Sequence, residues 1–319
     1  MTSKLTFFPW HGATELTHWG LIRAEGDDAA TFLHGQLSHD FKLLDDSQAR
    51  LAAFCSPKGR LLASLIGWTP GPGLVWLACH QSVLSATLKR LSMFVLRARC
   101  KLTSPAWGAP DSPRLWGLAG DPATAALERA GTPPVWSHRR LPDGSSLIHL
   151  PPVGCTARAW LMGHQAPSAP SLPLDAWRWT EVCSGIPLIE QATMDQFVPQ
   201  MINFELIGGI HFQKGCYPGQ EVVARSQYRG TIKRRMFLFE VDAKAWAGQE
   251  VFHPEDPGQP AGRVVNSAPS LQGSGSVMLV EVKWAALQGP ALRLGQADGP
   301  VLRAIALPYD VPVEGGAAA

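Results

Sequence analysis

One stretch of the chain gathers residue types that do chemistry: Lys214-Gly215-Cys216-Tyr217-Pro218-Gly219-Gln220-Glu221, running on through Val222-Val223-Ala224-Arg225. Gly215 and Gly219 bracket a tight loop, and Gln220 to Gln227 reads as a short helix with Glu221 in its first turn. Cys216 is thus expected just before a helix N-terminus, with the Lys214 ammonium nearby. Both influences lower a thiol pKa and favour the thiolate, the form that attacks electrophiles and binds metals. Residue type alone also allows a buried cysteine that acts as a small hydrophobe. Around this helix Arg225, Arg229, Lys233, Arg234 and Arg235 form a basic cluster, with Arg225 and Arg229 on one helix face. Such a cluster is either a solvated face bridged to acids or an anion-binding surface turned toward a cleft.

Other chemistries lack their residues. The chain has no G-x-x-x-x-G-K-[ST], H-E-x-x-H, G-x-S-x-G or G-x-G-x-x-G. Its six cysteines, Cys55, Cys79, Cys100, Cys155, Cys183 and Cys216, never approach C-x-x-C spacing, so neither a zinc site nor a cluster-binding motif is expected. The dispersed histidines, among them His11, His18, His34, His39, His80 and His211, read as structural. His34 and His39 border Gly35-Gln36 and could line a cleft, while Asp40 is expected to cap or orient a loop.

Elements that would position these residues follow from periodicity. Strands are expected at Gly20–Ala24, Ala49–Cys55, Arg60–Trp68, Leu74–Ala78, Arg97–Thr103 and Arg114–Ala119, with a type I turn at Ser56-Pro57-Lys58-Gly59. Leu84, Leu88, Leu91 and Val95 recur at helical spacing. Gly26-Asp27 opens an earlier helix that Asp27 or Asp28 can cap. A short Ala-rich helix is expected near 123–130, a hairpin turn at Asp143-Gly144, a polar linker over Gly163–Pro173 and a helix over Leu174–Cys183. Beyond Lys233 the pattern changes to short strands at Arg235–Val241, Gly262–Val265, Ser276–Val282 and Leu302–Leu307, a small all-β unit. The division is therefore 1–232 and 233–319.

Charge excludes polyionic partners chosen by net charge alone, since 28 Lys+Arg against 26 Asp+Glu leaves +2. With no RNA-binding motif either, direct tRNA contact is not expected. The N-terminus has no apolar signal segment, and the longest uncharged stretch, Leu61–Leu88, is broken by Thr69-Pro70-Gly71-Pro72-Gly73. A cytoplasmic protein with reduced cysteines and no membrane span is the expectation.

The K-G-C-Y-x-G-Q-E run resembles the signature of the YgfZ-type folate-binding proteins, relatives of the glycine-cleavage T-protein (aminomethyltransferase). The resemblance extends through Gly26-Asp27-Asp28, Phe32-Leu33-His34-Gly35-Gln36-Leu37 and Asp40, Ser56-Pro57-Lys58-Gly59-Arg60, Ser184-Gly185-Ile186-Pro187, Gln196-Phe197-Val198-Pro199-Gln200, Tyr228-Arg229-Gly230 and Lys233-Arg234, from about 15 to 240. It implies an α+β, aminomethyltransferase-like folate-binding fold, with lobes around a central cleft and a C-terminal β-barrel. Trp19 and Trp177 fall where the family places folate-binding tryptophans, and an aromatic partner is worth ~0.5–1.5 kcal/mol beyond area burial. Arg225 and Arg229 would meet an anion: the folate glutamate tail, a partner protein or RNA phosphate. One departure matters. Where the T-protein carries an acidic pair, this chain has Ala63 and Ser64, so glycine cleavage is not expected. The resemblance thus implies an accessory protein rather than an enzyme: it would bind a reduced folate and support iron–sulfur cluster synthesis or repair, and thereby tRNA methylthiolation. Its partners would be cluster enzymes or assembly factors. Cys216 would be the functional thiol, assisted by Lys214. The alternative is a tetrahydrofolate-dependent one-carbon transferase on an unknown substrate.

Overall fold

The structure, a computed structural model, describes residues 10–106, 109, 112–228, 232–271 and 273–312. The first lobe is a five-stranded antiparallel sheet ordered Ala49–Cys55, Leu61–Gly71, Leu74–His80, Trp19–Glu25 and Lys101–Thr103. Alternation along Ala49–Cys55 divides its side chains. Ala52 and Phe54 meet helices Ala29–Gln36 and Gln81–Ser92 in an outer core, while Leu51, Ala53 and Cys55 face the molecular centre. The strands therefore read as nearly continuous apolar runs because both faces are covered.

The second lobe is a sheet ordered Gly12–Glu15, Arg114–Ala119, Thr156–Gly163, Ser146–Val153 and His138–Arg140, with helix Asp121–Arg129 packed on its outer face. The third lobe is drawn from Arg234 onward. Its six strands run Arg293–Leu294, Glu250–His253, Asp256–Pro269, Ser276–Lys283, Arg234–Val241 and Arg303–Ile305. A bridge from Arg293 to Val301 brings the two ends of that order together, so the sheet closes into a small barrel. Helix Leu174–Cys183 lies against barrel strands Asp256–Pro269 and Ser276–Lys283. Each lobe keeps a private core, and all three contribute to a shared one: Leu51 and Trp68 from the first, Leu115 and Trp160 from the second, Val265 and Leu279 from the third. At about 1.5–3 kcal/mol per fully buried large apolar side chain, that shared core is what fixes the lobes around a centre.

Some expectations shift. The helix carrying Leu84, Leu88 and Leu91 ends at Ser92, whose hydroxyl turns back to the Leu88 carbonyl at 2.8 Å, so Val95 lies beyond it. The strand expected from Arg97 begins at Lys101. Asp28 precedes its helix but does not cap it, because its carboxylate accepts the Arg99 N–H at 2.8 Å. Thr156–Gly163 was not expected as a strand. It is buried on both faces and so lacks the alternation that marks a half-exposed one. Among the described residues no helix is long and apolar enough to cross a membrane.

Candidate functional site

Where the three lobes meet, a single carboxylate organises the centre. Glu181 projects from helix Leu174–Cys183 one turn after Trp177. Its Oε1 accepts the indole N–H of Trp177 at 2.7 Å and that of Trp19, from the first lobe, at 2.8 Å. Its Oε2 accepts from His18 Nε2 at 2.7 Å. The Arg158 guanidinium, only 2% exposed, lies 4.9 Å over the Trp177 ring. Burial would push the Glu181 carboxyl up. The charges of His18 and Arg158 and the bonds from His18 and Trp19 outweigh it and hold the group below the ordinary carboxylate range. Burial brings Arg158 down to about 10, with Glu181 opposing.

A cavity of about 30 Å³ opens beside this node, walled by Trp19, Ser64, Trp136, Arg158, Trp160 and Glu181 together with the Ser184–Leu188 turn. The turn is held from two lobes: Ser64 Oγ accepts the Ile189 N–H at 2.9 Å, and Asn266 Oδ1 accepts the Leu188 N–H at 2.7 Å. A larger groove of about 980 Å³ lies farther along the seam between the first two lobes, lined by Arg23, Trp76, Arg140, Asp143 and Met162. Trp19 and Arg23 share one strand face, as do Arg158 and Met162, so groove and cavity follow the same interface. The groove is the larger space, but the buried ionic node sits at the cavity, and the chemistry belongs there.

The signature loop forms a second centre. Gly219, at φ 81°, precedes helix Gln220–Tyr228 and abuts the Ser56–Gly59 turn: a Cβ on it would stand 2.4 Å from Ser56 O and 2.7 Å from Gly59 Cα. Only a residue without a side chain allows this approach. The Ser56 hydroxyl donates to Asp195 at 2.8 Å, and Gln200 Nε2 reaches Val223 O at 2.9 Å. Sequence blocks far apart in the chain are thus knitted around one loop. Cys216 is exposed. Lys214 is buried, and its ammonium donates to the carbonyls of His34 and Leu37, at 2.7 Å for Leu37, closing the C-terminal end of helix Ala29–Gln36. Its Nζ also stands 4.8 Å over the Tyr217 ring. Burial lowers Lys214 to about 8, against the pull of Asp40 and Cys216.

The expected site residues separate into these two centres. Trp19 lines the cavity, whereas Trp177 is 0% exposed and stands behind the wall, its ring filling the space where a Gly117 side chain would be. Arg225 is exposed on the signature helix and does not wall the cavity. Arg229 lies outside the described residues. Two others of the basic cluster are committed to acids, Arg234 to Glu281 at 2.9 Å and Arg235 to buried Glu205. All six cysteines are free; Cys55, Cys79 and Cys183 are buried, and Cys155 is exposed like Cys216. Burial pushes Cys55 and Cys79 up to about 12. Sequence reading missed Glu181, Arg158 and His18. Trp177 and Glu181 at helical spacing i, i+4 and the His18-Trp19 pair were the available signals, and neither shows its partner without the fold.

Three lobes closing on a buried ionic node define the class, that of the glycine-cleavage aminomethyltransferase fold. Aminomethyltransferase T of the glycine cleavage system from Bartonella henselae superposes with a TM-score of 0.68 at 18% identity, covering 94% of this chain and 87% of that one. By sequence, the chain is 32% identical over 240 residues to the tRNA-modifying protein YgfZ of Hamiltonella defensa subsp. Acyrthosiphon pisum (strain 5AT), covering 70% of this chain and 68% of that protein. It is 31% identical over 235 residues to the tRNA-modifying protein YgfZ of Cronobacter sakazakii (strain ATCC BAA-894), covering 70% and 69%. No family model matches the chain. The chain belongs to the YgfZ family.

Proposed function

We propose that this protein is an accessory factor in tRNA modification, which binds a reduced folate in the interlobe cavity and supports iron–sulfur cluster synthesis or repair through Cys216. The observation that carries the ligand half is the Glu181 node: one part-buried carboxylate oxygen fixes the indoles of Trp19 and Trp177 beside a cavity. The wall chemistry suits a flat, nitrogen-rich ring. Trp19, Trp136 and Trp160 offer aromatic faces, and Arg158 Nε and Trp160 Nε1 are buried N–H donors with no partner among the described residues. Glu181, kept ionised, is the matching acceptor for ring N–H groups. At about 30 Å³ the cavity holds roughly two waters, so a pterin enters only when the walls part.

A reduced folate brings one-carbon chemistry when bound; what this chain adds is anchoring. Ser64 stands on the wall where a carboxylate would be needed, and its hydroxyl oxygen is taken by the Ile189 N–H. Glu181 is a carboxylate, but one held below its ordinary pKa and hydrogen-bonded on both oxygens makes a feeble base. The transferase reading is the weaker one for that reason. For a cluster as cargo, Cys216 gives a single exposed sulfur, so the remaining ligands would come from the partner.

The test is complementation of a cell lacking its family member. Wild type should restore tRNA methylthiolation and cluster-enzyme activity, and Cys216→Ala should not. Full restoration by Cys216→Ala would overturn the assignment of the thiol.

A further inference from the structure

Against Gly215, the residue before Cys216, lies an imidazole with no role in the reading so far. His34 sits in the last turn of helix Ala29–Gln36, its Nδ1 3.0 Å from Asp40 Oδ1. The same oxygen accepts the backbone N–H groups of Lys42 at 2.9 Å and Leu43 at 3.1 Å. Burial opposes ionisation of Asp40, but those N–H groups and the His34 ring outweigh it and keep the carboxyl below its usual range. A carboxylate fixed in this way takes the proton-bearing nitrogen and leaves Nε2 as the acceptor. Among the described residues Nε2 has no hydrogen-bond partner. It lies 3.4 Å from the point where a Gly215 Cβ would stand, against the loop whose next residue is the exposed Cys216. Lys214, tied to His34 O, is influenced by both Asp40 and Cys216, which places the four groups in one neighbourhood. The other titratable groups around them are Tyr217, whose ring lies 4.8 Å from Lys214 Nζ, Arg50, which donates to Asp40 O, and His39 and His211, whose rings are 5.5 Å apart.

From this geometry we infer that His34, oriented by Asp40, is the proton acceptor for Cys216 in a thiol–imidazole–carboxylate relay. The inference rests on Cys216 being the functional thiol and adds the residue that would make it react. When the thiol meets a soft electrophile, sulfur forms the new bond and the leaving group departs with its electron pair. The thiol proton passes to His34 Nε2.

Iodoacetamide reads this step directly, since sulfur gains a bond to carbon and iodide leaves. Cys155, exposed on the turn between strands Ser146–Val153 and Thr156–Gly163, serves as the reference within the same molecule. Brief labelling across pH, followed by peptide mass mapping, should show Cys216 ahead of Cys155 at pH 7, with a midpoint of its own. His34→Gln should move that midpoint up and cut the labelling ratio by about tenfold per pKa unit. Asp40→Asn should do the same in part, because its amide oxygen still accepts the Lys42 and Leu43 N–H groups. An unchanged Cys216 profile in a folded His34→Gln protein overturns the relay. Should that variant not fold, Asp40→Asn decides on the same criterion. Failure of the underlying reading looks different: Cys216→Ser would restore tRNA methylthiolation while wild-type Cys216 still showed the pH signature of the relay.

Discussion

Lys214 shows how a residue marked by its motif acquires a second task. Its ammonium was expected to stabilise the neighbouring thiolate, and in the structure it closes the end of helix Ala29–Gln36 through two carbonyls, one of them on fully buried Leu37. Lys214→Gln shortens the side chain and leaves those carbonyls unpaired, at a cost of about 1–3 kcal/mol, measurable as a lower midpoint of urea unfolding. A pH signature accompanies it. Burial holds the folded Lys214 at about 8, while the unfolded chain titrates near ~10.4. Between those values the unfolded state binds more protons, so wild-type stability rises with pH across that window. The variant should lack the rise; an identical rise in both would remove Lys214 as its source. Cys216 and Lys214 were legible because their loop carries a compact signature. Glu181 was not, because its three donors come from positions 18, 19 and 177, and sequence spacing reports only the last.

At the scale of elements, close backbone approaches seat the signature loop. Gly219 and Gly59, both at positive φ, let the signature loop settle on the Ser56–Gly59 turn. Gly219→Ala adds a methyl 2.4 Å from Ser56 O in a backbone conformation that side chains disfavour. A loss of roughly 1–3 kcal/mol follows, together with loosening of the loop. Hydrogen exchange at residues 215–224 should quicken by at least tenfold, and protection equal to wild type would contradict the docking described. The expected helices and strands that match in type and place, such as Ala49–Cys55, Arg114–Ala119 and Leu174–Cys183, come from segments whose apolar pattern and breakers agree. Thr156–Gly163 escaped because it is covered on both faces, and the barrel strand Asp256–Pro269 was read too short because Pro257 and Pro260 look like breakers outside a sheet.

For the whole molecule, the seams between elements carry half-buried histidines, and these set its response to acid. Burial brings His39 to about 4, with Arg50 and His211 adding to the effect, and brings His80 to about 4, with His18 adding. An unfolded histidine titrates near ~6.5, so between about 6.5 and 4 the unfolded chain binds more protons and stability falls as pH falls. The melting temperature should drop steadily from pH 7 to pH 4.5, and the His39→Gln/His80→Gln double variant should show a shallower slope. Parallel slopes would place the acid response elsewhere. The three-lobed plan itself was legible only through the family resemblance. Composition and periodicity show strands and turns, whereas the convergence of three sheets builds one core from residues as distant as Trp19 and Leu279.

The measurement that bears most directly on the account is calorimetric titration of the protein with tetrahydrofolate, comparing wild type, Glu181→Gln and Cys216→Ser. Glutamine at 181 can still accept both indole N–H groups and changes chiefly the charge, so the fold should survive while the anchor for ring N–H donors weakens. The account predicts saturable binding to wild type and to Cys216→Ser with equal affinity, and at least a tenfold weaker Kd for Glu181→Gln. Equal affinity in all three proteins, or no binding to the wild type, would contradict it.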